Sequence, residues 1–194
     1  MASDSELIQI VDAALLEATR KAADWLACRP GCFECCIGPF PIDQLDAQRL
    51  RRGLAELELT DPSRAAHVRQ RARDAVDRLL REYPGDTLAH VLDEDSAAEN
   101  EPCPALDPAT GTCDLYPYRP ITCRTFGPPV HFVGEALAVC ELCFQGATEQ
   151  EIQSCEVELD VDNPEPALAA EAERNPGAAR DTIVAFALAP GGKL

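Results

Sequence analysis

The sequence predicts a mainly α protein: a helical domain with a small, irregular cysteine-rich region containing one or two short β-hairpins. Three observations carry this expectation. Apolar side chains recur at helical spacing in three blocks before residue 85. Beyond residue 100 that period stops, and short extended runs flank turn residues. Ten cysteines are spread over both parts, four of them between Cys28 and Cys36.

The first helix is expected over residues 3–27. Ser3 and Glu6 form a capping-box pattern, and Leu7, Ile8, Val11, Leu15, Ala18, Ala22, Trp25 and Leu26 share one face. Arg29-Pro30-Gly31 ends it, so Cys28 sits at a helix end and Cys32, Cys35 and Cys36 lie in or just beyond a turn. A second helix, 42–58, shows Leu45, Leu50, Leu54 and Leu57, weakened by Gly53. Asp61-Pro62 supplies an N-cap and a first-turn proline for a third helix, 62–83. That helix turns Val68, Ala72, Val76, Leu79 and Tyr83 inward. Its outer face holds Arg64, Arg69, Arg71, Arg73, Arg78 and Arg81, expected to be solvated and partly paired with Asp74 and Asp77. Pro84-Gly85 stops it.

Residues 86–101 read as an acidic loop. The turn Asp107-Pro108-Ala109-Thr110-Gly111 then predicts a hairpin with Cys103 on one arm and Cys113 on the other. Prolines keep 116–120 extended, and Cys123 follows in a short turn or helix. Residues 130–133 and 135–139, split by Gly134, read as a second hairpin delivering Cys140 and Cys143. Residues 147–160 fit no single pattern. Pro164 and Pro166 open a helix to about 174, and the tail from Asp181 holds one apolar run. The expected organisation is one cysteine-cluster domain over 1–160, helical over 1–85 and cysteine-rich over 101–145, with 161–194 as a C-terminal helical extension or tail.

Charge narrows the function classes. The chain has a net charge of −17 and a pI near 4.4, which argues against nucleic acid and anionic membranes as partners. Residues 1–85 carry 12 Lys/Arg against 14 Asp/Glu, whereas residues 86–194 carry 5 against 20. Between Arg81 and Arg174 the only basic residues are Arg119 and Arg124, both close to Cys123. No run reaches the ~18 apolar residues of a membrane span. The start, Met1 to Glu6, lacks a positive and apolar leader pattern, so the cytoplasm is the expected compartment. There thiols stay reduced, and a cysteine pattern points to metal or chemistry before disulfides.

Thiolates are soft ligands suited to Zn²⁺ and to iron–sulfur clusters, including a four-iron, four-sulfur cluster. The candidate metal ligands are Cys28, Cys32, Cys35, Cys36, Cys103, Cys113, Cys123 and Cys140. One site is expected from the first four with the later ones, and a second site is allowed. Cys35 and Cys36 are adjacent, so their side chains are expected to diverge, with a strained vicinal disulfide as a lesser alternative. Arg119 and Arg124 are the candidate cations beside the thiolates; the alternative for each is a surface pair with a carboxylate. His131 is a weaker candidate donor, and His67 and His90 are given no role. Radical S-adenosylmethionine enzymes share the Cys-x3-Cys-x2-Cys spacing, but an aromatic usually precedes the third cysteine there. Here Glu34 holds that place, and no repeating strand–helix pattern follows.

The string Cys28-x3-Cys32-x2-Cys35-Cys36, then Cys103-Pro104-x-Leu106, then Gly111-x-Cys113-x2-Tyr116-x2-Arg119-Pro120-x2-Cys123-Arg124-x-Phe126, resembles the YkgJ-type cysteine-cluster proteins. Cys140 or Cys143 stands where a further downstream cysteine is usual. The resemblance covers about residues 25–145 and implies zinc or iron chelation. Two alternatives stay open: an iron–sulfur redox or protein-modifying enzyme using the cluster, and a disulfide-braced interaction module. No protein partner is legible.

Overall fold

The computed structural model describes residues 4–84, 88–92, 97–132, 139–159 and 181–189. They fall into two units, each built from two stretches of chain: Met1–Cys32 with Ile121–Glu171, and Phe33–Pro120 with Ala172–Leu194. The architecture is predominantly helical, with small two-stranded sheets.

In the first unit, α1 (Asp4–Ala22) begins with Asp4 and Glu6 and ends with Arg20 and Lys21, an order that suits the helix dipole. The buried stripe is Leu7, Val11, Ala14, Ala18 and Ala22; Ile8 and Leu15 lie at its half-buried edges. A 3-10 turn, Ala23–Trp25, replaces the last predicted helical residues. Against α1 pack α4 (Ile121–Thr125), β4 (Val130–Phe132), α5 (Glu149–Cys155) and β5 (Val157–Leu159). Thr148 and Glu151 form a reciprocal capping box at the start of α5. β4 pairs in parallel with β5, Val130 opposite Val157, which a crossover containing α5 permits. The sequence carries no sign of this pairing. Residues 133–138 of the predicted second hairpin lie outside the described residues, as do Ser3, Gly85 and the helix from Pro164 to 174.

In the second unit, α2 (Gln44–Thr60) and α3 (Pro62–Glu82) pack on each other and on α6 (Val184–Leu188). Asp43 caps α2 by accepting from the Asp46 amide at 2.7 Å. Asp61 caps α3 through the Arg64 amide at 3.0 Å, with Pro62 in the first turn as predicted. All five residues of α6 are buried, so the apolar run of the tail is core. It joins Leu50, Leu54, Val68 and Leu115 in one cluster and Leu79, Val91 and Ile183 in another. Two short antiparallel pairs complete the unit: β1 (Ile42–Asp43) with β6 (Asp181–Thr182), and the predicted hairpin of β2 (Leu106–Asp107) with β3 (Thr112–Cys113).

The arginine face of α3 corrects a sequence expectation. Arg64, Arg73 and Arg81 are exposed as expected, but the face is more than a solvated fringe. Arg64 and Arg71 both bond the carboxylate of Asp114, whose side chain is only 2% exposed. Arg71 also donates to the Pro104 carbonyl at 2.9 Å, Arg78 pairs with Glu101, and Arg69 pairs with Glu58. Asp74 is bonded by Gln70 rather than by an arginine. A buried carboxylate needs partners, and α3 provides them to the segment after β3. Gly53 also has a reason. A Cβ there would stand 2.3 Å from the Tyr118 ring and 2.6 Å from Tyr118 Cβ, while the Tyr118 hydroxyl bonds Glu56 one turn away.

Two outcomes follow. Gly53→Ala gains about 1 kcal/mol of helix propensity but overpacks a side chain root that cannot swing aside, a cost of about 1–3 kcal/mol. The variant is expected to melt lower than the parent, and Tyr118→Ala in the same chain to recover part of the loss; an unchanged or raised Tm would refute the packing. Replacing Arg64 and Arg71 together by Ala leaves Asp114 buried and unpaired, at about 3–5 kcal/mol in denaturant unfolding. Asp114→Asn, which removes the charge and keeps the shape, should cost less.

Candidate metal centre

All ten cysteines are free thiols. In the first unit, Phe144 N donates to the Trp25 carbonyl at 2.8 Å, and the two rings stack with centroids 6.2 Å apart. That fastens the stretch after Cys140 onto the stretch before Cys28. Phe144 holds a left-handed φ of 56°, a conformation kept only where the surroundings impose it. Two tight turns shape the sulfurs: Cys32 N donates to the Arg29 carbonyl at 2.9 Å, and Cys143 N to the Cys140 carbonyl at 2.8 Å. Cys28 and Cys143 share a side-chain hydrogen bond, with Cys32 and Cys140 also close by. Gly127, at φ 107°, leaves the room this needs: a Cβ there would lie 2.9 Å from Cys28 Sγ. Desolvation, then the Cys143 thiol, pushes Cys28 up to about 12 although the residue is partly open to solvent. Desolvation also raises Cys140, against a main-chain hydrogen bond from Leu142 N–H to its sulfur.

In the second unit, Cys36 carries a short bridge to the later cysteines. Cys103 N donates to the Cys36 carbonyl at 2.7 Å, Gly38 N to the Glu101 carbonyl at 2.9 Å, and Ile37 bridges Pro102. The β2–β3 hairpin sets Cys113 opposite Leu106, three residues beyond Cys103. The four sulfurs of Cys35, Cys36, Cys103 and Cys113 act on one another by charge. Cys35 and Cys36 follow one another in a single 3-10 turn, Glu34–Cys36, closed by Cys36 N donating to Phe33 O at 2.8 Å, and their thiols hydrogen-bond each other. That bond holds Cys35 down to about 6 and Cys36 far above the usual thiol range. The Arg119 guanidinium helps to lower Cys35 and Cys113, and lies 3.9 Å over the Tyr116 ring. Desolvation pushes Cys103 up to about 12, opposed by main-chain N–H bonds from Ala105 and Leu106 to its sulfur; Cys113 is likewise raised by desolvation and eased by Leu115 N–H.

The candidate ligand set omits Cys143 and Cys155; of these Cys143 lies near Cys28, and its two-residue spacing from Cys140 was the signal in the sequence. Cys123 is half-buried on α4 of the first unit. On the same helix, Arg124 is buried and pairs with Asp12 of α1 at 2.5 Å. His131 is buried against Glu156, and Cys155 donates to the Lys21 carbonyl at 3.4 Å. A cavity of about 360 Å³ in the second unit is lined by Asp61, Ser63, Arg64, His67, Arg71, Asp107 and Asp114, with no cysteine among them. Among the described residues, no three His, Cys, Asp or Glu side chains are already gathered around one point as a metal-holding group. The donors nonetheless suit a thiophilic metal in kind and number, and the space left at Gly127 is taken up by a sulfur.

No curated protein and no solved structure matches the chain. Residues 27–156 match the model of a family described as a putative zinc- or iron-chelating domain. The match spans both runs of cysteines and well over half of the sequence, and the chain belongs to this CxxCxxCC family.

Proposed function

We propose that the protein binds zinc or iron through clustered cysteine thiolates, the iron as an ion or within an iron–sulfur cluster. One observation carries the reading: in each unit the backbone draws later cysteines onto the first run, Cys103 N bonding the Cys36 carbonyl and Phe144 N the Trp25 carbonyl, and main-chain N–H groups of Ala105, Leu115 and Leu142 oppose the rise of Cys103, Cys113 and Cys140. Such donors stabilise the ionised form of a sulfur, which is the form that ligates metal. A thiol that served only as a small core hydrophobe would not need them. The residues available to hold the metal are Cys28, Cys32, Cys140 and Cys143 in one unit and Cys35, Cys36, Cys103 and Cys113 in the other, with Cys123 near the chain of the first. Bound there, zinc would supply a structural cross-link, and an iron–sulfur cluster would add one-electron chemistry. Arg119 is placed to offset the negative charge of the second group. Free thiols suit a reducing compartment, so the cytoplasm is the proposed location. Among the described residues no helix is long and apolar enough to cross a membrane.

Anaerobic purification followed by metal analysis, acid-labile sulfide assay and a visible spectrum tests this. Iron with sulfide and a broad band near ~400 nm is the outcome for a cluster; zinc without sulfide or colour is the outcome for a closed tetrathiolate site. Protein without either metal would end the proposal. The pH dependence has a fixed sign. Cys28 and Cys103, raised to about 12 without metal, are protonated at neutral pH and must release protons on binding. Each such proton strengthens binding about tenfold per pH unit, so zinc affinity should fall steeply from about pH 8 to about pH 6. A flat profile in competition titrations would mean that the ligands are not these thiols.

A further inference from the structure

The ten thiols do not form one constellation. Each unit brings a different four into one neighbourhood by its own local fold, without already gathering three of them around a point. In the first unit, Cys140 and Cys143 pack with Trp25, Leu26 and Ala27, just before Cys28, and Cys28 feels Cys143, Cys32 and Cys140 as its thiol neighbours. In the second, Cys103 N bonds the Cys36 carbonyl at 2.7 Å, and Cys36 feels Cys35, Cys103 and Cys113 as its thiol neighbours. The backbone that delivers each set is separate too. The first depends on the Trp25–Phe144 bond and the Cys140–Cys143 turn, the second on the Cys36–Cys103 bond and the β2–β3 hairpin. The chain passes from one unit to the other between Cys32 and Phe33, so the run from Cys28 to Cys36 is divided in half.

We propose that the chain holds two metal centres, one per unit: Cys28, Cys32, Cys140 and Cys143 ligate the first, and Cys35, Cys36, Cys103 and Cys113 the second. This rests on reading the thiols as metal ligands, and it adds their number, partition and independence. Four thiolates are the full complement of a closed zinc site or of a four-iron cluster. Adjacent cysteines can serve one metal only if their sulfurs converge, so the second centre requires Cys35 and Cys36 to turn toward the stretch that the Cys36–Cys103 backbone bond brings beside them. Each set closes by rotation of its cysteine side chains around the ion. The two centres differ in surroundings. Arg119 acts on the thiols of the second, whereas desolvation dominates at Cys28 in the first.

The test counts zinc. The full chain is reduced, loaded anaerobically with excess zinc, freed of loosely held metal, and weighed by native mass spectrometry alongside elemental analysis. The expected result is about two zinc ions per chain, from eight thiolates at four each. Cys113→Ala and Cys143→Ala should each keep one, and the double variant none. Cys155→Ala, outside both sets, should keep two. One zinc in the unmodified chain overturns the two-centre assignment while leaving metal binding intact, and that count does not depend on any variant folding. Two zincs of which Cys113→Ala and Cys143→Ala each lose both also overturns it, provided circular dichroism shows the variants folded; Cys→Ser versions serve as second probes at the same positions. No zinc at all overturns both the assignment and the reading beneath it.

Discussion

Sulfurs brought close repel one another once they ionise, and in each unit the backbone draws later cysteines toward the first run despite that. Desolvation and the neighbouring thiols raise Cys28 and Cys36 together with Cys103 and Cys140, so the metal-free groups rest largely protonated. What opposes this is fixed in the backbone. Amides of Leu142, Ala105, Leu106 and Leu115 face sulfurs and favour their anionic form. These dipoles are oriented before any metal arrives, so ordering them is part of folding and not a cost of binding. The thiols are therefore held close, easily ionised in the presence of a cation, and disfavoured as anions without one.

The second unit depends as much on Asp114. Its charge raises the adjacent Cys113, and burying it alone would be costly. Arg64 and Arg71 resolve both problems at once: they neutralise the carboxylate, and Arg71 ties the Pro104 carbonyl to the same helix. Thus α3, which carries no cysteine, fixes the stretch from Cys103 to Asp114 on both sides of the hairpin. The Asp114 amide closes the arrangement by donating to the Ala105 carbonyl at 2.7 Å. Gly53 does the same work on α2, letting Tyr118 lie close against the helix and so placing the chain just before Arg119.

The helices were legible because their causes are local. Asp61-Pro62 starts α3 by hydrogen bonding within four residues, and Leu7, Val11 and Ala18 mark the buried side of α1 by period alone. The β2–β3 hairpin was legible from its turn. The role of the α3 arginines was not, because Asp114 lies dozens of residues away and nothing in the sequence distinguishes it from other carboxylates. The partner of β4 was missed for the same reason: a parallel crossover leaves no turn signal between its strands. Among the thiols, spacing identified the donors but not their grouping.

The alanine content explains why thiol closure matters here. The buried clusters of the second unit are lined by Ala47, Ala65, Ala72, Ala75, Ala105, Ala185 and Ala187, each of which removes little area from water. A core of this kind leaves each unit to be held by other means across its two chain segments. A bond through metal between Cys36 and Cys103 closes a loop of roughly 70 residues, and one between Cys32 and Cys140 a loop of roughly 110, and the difference in closure entropy is under about 0.6 kcal/mol. The two closures would therefore contribute almost equally, although one loop is far longer. Neither unit is the natural place to omit a cross-link, and an acidic, alanine-rich chain that divides one cysteine run between two units gains from bracing both.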